Sequence, residues 1–399
     1  MNADPEHARL VEVELAGAGS LLSSPAVRGF PAAAPGLAEL LAAVPELSGR
    51  VADVTASAGG GVLAARGAER IVVLEPSFAA LRAARRRFGS DDRVSAEAGL
   101  PWDLPAGGFD TALALPPAER GNDRVRAELA ALASALAPDG CVYLAMHKDQ
   151  GAKRYERDAL TWFGSVEVLA RSRGWRVSRL AGPLDAASGT PQGRPGPAGA
   201  EPWRRFEALG TGWWALPGVF AARGLDAGSA QLVTALGELG VAPLAAADVL
   251  DLGCGTGLLA AAALRAGAAA VTAVDDDLAA VRSSRRNLQA ATARVLHSDL
   301  DAALEAATRF DVVIANPPFH LGRQVRLALS RAFVEAAHRR LERAGTLLMV
   351  ANRALPYERE LEGWARYETL RDAGGFKVLR AWAIPPLSRH SGGAASATR

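Results

Sequence analysis

Cysteine is almost missing from this chain: Cys141 and Cys254 are the two among 399 residues, and they lie in different halves. Each sits on an apparent buried strand or glycine turn, which excludes a disulfide scaffold and fits a reducing, cytoplasmic compartment. Net charge is nearly absent as well, since 45 Lys and Arg against 43 Asp and Glu leave +2. A global field attracting nucleic acid is thereby excluded, and any such surface must be a local patch. Long apolar runs are lacking; the longest are alanine-rich and broken by charge, which argues against a membrane span. Residues Met1 to Arg28 carry acids and no continuous apolar region of signal-peptide type. Neither a P-loop Gly-Lys-Ser/Thr nor the dinucleotide pattern G-x-G-x-x-G occurs. What is present, 49% hydrophobic and 22% charged residues, describes a soluble globular protein of about two domains.

The most informative stretch is Asp248 to Gly257, Asp-Val-Leu-Asp-Leu-Gly-Cys-Gly-Thr-Gly. An apolar run closing on Asp251, then Gly253, Gly255 and Gly257, reads as a buried parallel strand and a tight turn opening a helix over Leu258 to Ala266. Glycine permits positive φ there and lets a ligand lie against the backbone. The spacing suits a nucleoside without a pyrophosphate. A second apolar run, Ala270 to Val274, ends in Asp275-Asp276-Asp277, where a carboxylate can hold a ribose diol. A third strand, Arg294 to Leu296, leads to Asp299, placed to accept from an adenine amine. The fourth, Phe310 to Ala315, delivers Asn316-Pro317-Pro318-Phe319-His320. Together these segments resemble the class I S-adenosylmethionine-dependent methyltransferases that act on an amino nitrogen conjugated to a ring or carbonyl.

That chemistry has reasons to use Asn-Pro-Pro-Phe. A conjugated amine gives its lone pair to the ring and must be held in the geometry of attack. The Asn316 side-chain oxygen and the Pro317 carbonyl can each accept one N–H, leaving the lone pair aimed at the methyl group. Two prolines fix φ and remove donors, stiffening the loop. Phe319 offers a face for the base, worth about 1–3 kcal/mol in nucleic-acid complexes. Because a sulfonium is already activated, in-line positioning supplies most of the catalysis. Neither metal nor covalent nucleophile is required.

The first half reads as a worn copy of the second. Val51 to Gly59 stands where the strand and glycine turn should be, with Thr55 and Ser57 replacing Gly253 and Gly255. Ile71 to Leu74 and then Glu75 stand for the second strand and its acid. Phe109 to Pro117 echoes Phe310 to Pro318, with Leu115 for Asn316 and Ala118 for Phe319. Counting back 17 residues from each loop pairs Ala98 with Asp299. Such a half keeps a fold and loses its chemistry. The cluster Arg82, Arg85, Arg86 and Arg87 reads as a solvated helix face.

The boundaries that follow are a degenerate domain over 1–182, a Gly/Pro-rich linker over 183–202, a catalytic domain over 203–387 and a disordered tail over 388–399. A hairpin-like aromatic segment containing Trp213 and Trp214 and a helix over Ala230 to Leu239 precede the glycine turn. Pro217-Gly218-Val219-Phe220, Gly224-Leu225-Asp226-x-Gly228-Ser229, the N-P-P-F-H loop, Val350-Ala351-Asn352-Arg353-x-Leu355-Pro356-Tyr357 and Phe376-Lys377-Val378 are similar to the tandem-domain ribosomal RNA guanine-N2 methyltransferases of the RsmC/RlmG type. The resemblance implies an α/β protein of two tandem Rossmann-like class I methyltransferase domains, each a mainly parallel twisted sheet flanked by helices. It implies S-adenosylmethionine as cofactor, held by Asp251, Gly253, Gly255, Gly257, Asp275 or Asp276, Asp299 and Asn316, with Phe220 and Asp226 closing near its methionine end. Asn316, Pro317 and Phe319 would grip the guanine amine, and Pro318, His320, Arg323, Arg326 and Lys377 would meet the RNA. The expected partner is ribosomal RNA or an assembling ribosomal subunit, with small-subunit 16S rRNA favoured and a monomer as default. Other readings remain: large-subunit rRNA, adenine-N6 or glutamine-N5 methylation, or a non-catalytic RNA-binding assembly factor.

Overall fold

A computed structural model describes residues 9–15, 17–184, 200–239, 244–290, 292–318 and 323–383, with the side chains of residues 323–328 and 383 outside that description. Two seven-stranded sheets dominate it. In the second, the spatial order is Ala293–His297, Ala270–Asp275, Asp248–Leu252, Phe310–Ala315, Leu341–Asn352, Phe376–Ala383, Ala365–Ala373. The first five run parallel and the last two pair antiparallel. The central strands are continuous apolar runs because helices cover both faces. The sheet order reverses between Asp248–Leu252 and Phe310–Ala315, and beyond the carboxyl ends of these two strands lies the crevice where open α/β sheets hold ligands.

The first sheet repeats that order strand for strand: Val94–Ala98, Gly67–Glu75, Ser48–Val54, Phe109–Ala114, Leu136–His147, Trp175–Pro183, Phe163–Ser172. An antiparallel hairpin precedes each sheet, Val11–Leu15 with Gly19–Ser23 and Arg204–Ala208 with Thr211–Ala215. The duplication expected from the sequence is thus complete down to its leading hairpin. Element ends shift slightly: the helix after the glycine turn is Leu258–Arg265, and Ala227–Leu239 begins three residues earlier than its apolar pattern suggests. The tail over 388–399 lies outside the described residues, as does most of the 183–202 segment.

One correction concerns register. Glu75 pairs with Ala98 where Asp275 pairs with His297, and the Gly99 and Ser298 amides donate to the Glu75 and Asp275 carbonyls. The counterpart of Asp299 is therefore Leu100, not Ala98. The loop that follows is two residues shorter in the first half, so counting back from the Pro-Pro loop slips by two. Strand pairing fixes position, whereas loop length drifts.

The halves join back to back at their equivalent acid turns. Ser77 and Asp277 form an antiparallel bridge, the Phe78 amide donates to the Asp276 carbonyl at 2.9 Å, and the Leu278 amide donates to the Pro76 carbonyl at 2.8 Å. Asp276 Oδ1 accepts from the Ala79 amide at 2.9 Å, capping the Phe78–Phe88 helix of the other half. Arg120 pairs with Asp277, and Arg282 makes two bonds to Asp103 at 2.7 and 2.6 Å. Leu100, Trp102, Leu216, Val219 and Leu278 fill the space between. Beside them Arg124 and Glu128, both buried, pair at 2.5 Å, with the guanidinium 5.2 Å from the Trp102 ring.

Burial pushes the Glu128 carboxyl above its ordinary pKa, and Arg124 is the first of the charges that pull it back. Removing Arg124 alone strands an acid in the joint. Arg124→Met is expected to destabilise the protein by about 3–5 kcal/mol, with most of it recovered in Arg124→Met/Glu128→Leu. Urea unfolding midpoints of the two variants check this, and an unshifted midpoint for the single variant would contradict it.

Candidate active site

The glycine turn forms because Gly253, Gly255 and Gly257 all take positive φ, 77°, 55° and 85°. The amides of Gly253 and Cys254 donate to the Val274 carbonyl at 2.9 and 3.0 Å, tying the turn to the neighbouring strand. The Gly255 amide donates to Asp275 Oδ2 at 2.9 Å, and the Asp277 amide donates to Oδ1 at 2.9 Å. Among the described residues, a side chain at 255 would meet only the Phe220 carbonyl oxygen, at 3.7 Å. Space therefore opens above the turn, with the exposed Phe220 at its border.

Asp251 lies beneath the turn, fully buried, its Oδ2 accepting from the Ala260 amide at 3.0 Å. Its Oδ1 has no partner among the described residues, and the same holds for Oδ2 of Asp299 and Oδ2 of Asp226. Buried carboxylate oxygens without donors cost free energy and call for a ligand or water. Burial first, then the charge of Asp275, raises Asp251 to about 7. Asp275 is likewise raised to about 7 by burial and Asp277. Asp299 reaches about 8 through burial and Asp276, with Arg82 of the other half pulling it down.

Asn316 and Pro317 follow the Phe310–Ala315 strand at the same sheet edge, since Ala315 pairs with Leu252. Pro317 is buried, Pro318 exposed and Asn316 half-buried. The Asn316 amide nitrogen donates to Ser229 Oγ at 2.9 Å. Ser229 sits in the first turn of Ala227–Leu239, where Asp226 Oδ1 accepts from the Gly228 and Ser229 amides at 3.0 and 3.2 Å. Ser229 lay inside a motif that the sequence reading used only for resemblance; its contact with Asn316 crosses 87 residues and left no local signal.

The first half shows the same place filled by its own side chains. Asp53 Oδ1 accepts from the amide and hydroxyl of Thr55 at 2.9 and 2.6 Å, Thr55 and Ser57 hydroxyls meet at 2.5 Å, and Gly61 serves Asp53 Oδ2. Glu75, buried and raised to about 8, accepts from the Gly59 amide. Leu115 is buried where Asn316 stands in the second half, and Arg28 donates to its carbonyl at 2.6 Å.

Several expectations change. Asp276 is spent across the joint on Ala79, so of the acid triplet Asp275 is the residue facing the turn. Asp277 caps its own helix through the Ala279 amide and pairs with Arg120. Lys377 is buried with its ammonium on both Glu358 oxygens at 2.5 and 2.7 Å, which withdraws it from an RNA surface. The arginine cluster is not simply solvated: Arg85 donates to the Ala96 carbonyl, Arg87 to that of Ser20, and Arg82 is half-buried within electrostatic reach of Asp299. Trp213 is packing, its indole N–H on the Ala208 carbonyl, while Trp214 and Trp203 flank the Arg286 guanidinium at 4.3 and 4.5 Å. Phe319 and His320 lie outside the described residues. Arg323 and Arg326 lie in the first turn of Arg323–Arg340, seven and ten residues past Asn316.

With this geometry in place, comparison with known proteins gives a consistent answer. The Methyltransferase small domain family matches residues 211–380. The solved structure of T. thermophilus 16S rRNA N2 G1207 methyltransferase (RsmC) in complex with AdoMet and guanosine is 35% identical, covers 95% of this chain and 99% of its own, and superposes with a TM-score of 0.81. The chain belongs to the RsmC family of ribosomal RNA methyltransferases. Curated relatives include ribosomal RNA small subunit methyltransferase C of Salmonella choleraesuis, 38% identical over 183 residues, and that of Klebsiella pneumoniae, 41% identical over 170 residues. These matches cover 45% and 41% of the chain and 51% and 47% of the relatives, so the chain spans about half the length of the curated relatives it matches. Family membership agrees with two sheets of methyltransferase order, one open at its acid turn and one filled.

The raised carboxyls fix a pH dependence. Asp251, Asp275 and Asp299 hold protons more tightly folded than unfolded. Between about pH 4 and 8 the folded chain therefore binds more protons, and ligand-free stability falls as pH rises through that window. Asp299→Asn is expected to raise the melting temperature clearly more at pH 8 than at pH 5, and to change it least near pH 4. Equal shifts at both pH values in scanning calorimetry would contradict the assignment.

Proposed function

We propose that the second half, residues 203–387, transfers a methyl group from S-adenosylmethionine to the exocyclic N2 amine of a guanine in small-subunit ribosomal RNA. The observation that supports this most is the set of three buried, unpartnered acceptors, Asp251 Oδ1, Asp299 Oδ2 and Asp226 Oδ2, in the half that also carries the open glycine turn and Asn316, against a single such carboxylate oxygen, Glu75 Oε2, among the described residues of the first half. The donors of the cofactor suit them: an ammonium for Asp251, an adenine amine for Asp299 and a ribose diol for Asp275, with Gly253, Gly255 and Gly257 leaving room for the nucleoside. When bound, the cofactor supplies an activated methyl on a sulfonium, and the chain needs chiefly to position the amine. The Asn316 oxygen and the Pro317 carbonyl accept its two N–H bonds, Phe319 stacks the base, and the methylated nitrogen loses its proton to water. The base is turned out of its stack to reach this depth. Phe220 and Asp226 border the cofactor, while Pro318, His320, Arg323 and Arg326 meet the RNA backbone and contribute salt-dependent affinity.

The first half, residues 1–182, braces the acid turn and widens the RNA-contacting surface, with 183–202 as linker. The chain acts as a monomer in the cytoplasm on rRNA or an assembling subunit. Among the described residues no helix is long and apolar enough to cross a membrane.

Asn316→Ala is expected to lower turnover by about 100-fold or more, as removal of a group acting only on the reacting centre does, while S-adenosylmethionine Kd stays within a few fold. Single-turnover methylation of 30S particles with a parallel binding titration checks it. Wild-type turnover in that variant would sink the assignment, and label in N6-methyladenosine or in protein would favour the alternative amine substrates.

A further inference from the structure

We propose that Ser229 is a positioning residue that fixes the acceptor face of Asn316; this rests on the methylation reading above. Asn316 can serve an amine only with its carbonyl oxygen toward the substrate, yet the oxygen and nitrogen ends of an amide differ little in shape. Something must hold the nitrogen end away. Ser229 Oγ does so, accepting from Asn316 Nδ2 at 2.9 Å. Its own place is set firmly. Ser229 is buried, its amide is bound by Asp226 Oδ1, and its helix Ala227–Leu239 packs against the strands Leu341–Asn352 and Phe376–Ala383.

The consequence is that the Asn316 side chain is turned with its oxygen, an acceptor, away from Ser229, next to two prolines. The Asn316 nitrogen is engaged by Ser229, and Pro317 and Pro318 have no N–H to offer. An amino N–H is matched by that oxygen, whereas a ring carbonyl or bare ring nitrogen meets acceptor against acceptor. Without the hydroxyl, the Asn316 amide is free to turn and present its own N–H to the substrate position, which lowers the fraction of productive complexes without touching the cofactor. Preorganisation of this kind acts on the reacting geometry and so on kcat.

The test compares the full-length wild type with Ser229→Ala and Ser229→Thr, measuring kcat and RNA KM with 30S particles and S-adenosylmethionine Kd by titration. The expected result is a kcat reduced about tenfold or more in Ser229→Ala, with RNA KM and cofactor Kd within twofold, and recovery to within a few fold of wild type in Ser229→Thr, which restores the hydroxyl. Wild-type kcat in Ser229→Ala overturns the role. Loss of cofactor binding in both variants also overturns it, since Ser229 would then be only a packing residue of the helix start. A wild type that binds cofactor but methylates no guanine overturns the parent reading instead, and this role with it.

Discussion

A buried carboxylate at the tip of a parallel strand must be given donors or be protonated, and the arrangement of this protein follows from how each half meets that demand. In the first half the chain supplies most of the donors itself, leaving Glu75 Oε2 as the one buried carboxylate oxygen of that half without a partner among the described residues. Thr55, Gly61 and the Gly59 amide close on Asp53 and Glu75, and the crevice is filled by the hydroxyls that do so. In the second half glycines replace the hydroxyl residues, Asp251 and Asp299 keep unpartnered oxygens, and their pKa values stand near 7 and 8. One sheet order therefore gives a closed body and an open one, and the difference lies in two side chains on the turn, in Leu100 where the open half has Asp299, and in Leu115 where it has Asn316.

The same demand explains the joint. Three consecutive acids at the end of one strand would repel, and the chain separates their duties: Asp275 to the turn, Asp276 to the helix of the other half, Asp277 to its own helix and Arg120. The closed half thus contributes helix amides and arginines to the acid turn of the open half. The acid turn over 275–277 is therefore shared, facing the crevice through Asp275 and the joint through Asp276 and Asp277.

Much of this was legible in the sequence because it was local. The glycine spacing, the strand-end acids and Asn-Pro-Pro each announce their conformation within a few residues, and the repeated halves showed the succession of strands twice. Asp276 and Lys377 were misread because their partners, Ala79 and Glu358, lie far off in the chain or on a neighbouring element, and a charge at a strand end looks the same whether it faces water or an ion pair. The Ala98 pairing failed because loop length was used where strand register decides. Ser229 was visible only as a letter in a motif. Its meaning needed the fold to bring helix and catalytic loop within one hydrogen bond.

The claim that one half is open and the other filled by its own side chains is tested most directly by calorimetric titration of the full-length protein with S-adenosylmethionine, alongside Asp275→Ala and Glu75→Ala. The structure predicts one equivalent per chain, lost or greatly weakened in Asp275→Ala and unchanged in stoichiometry in Glu75→Ala. Two equivalents per chain, or a single equivalent that survives Asp275→Ala and disappears with Glu75→Ala, would contradict it.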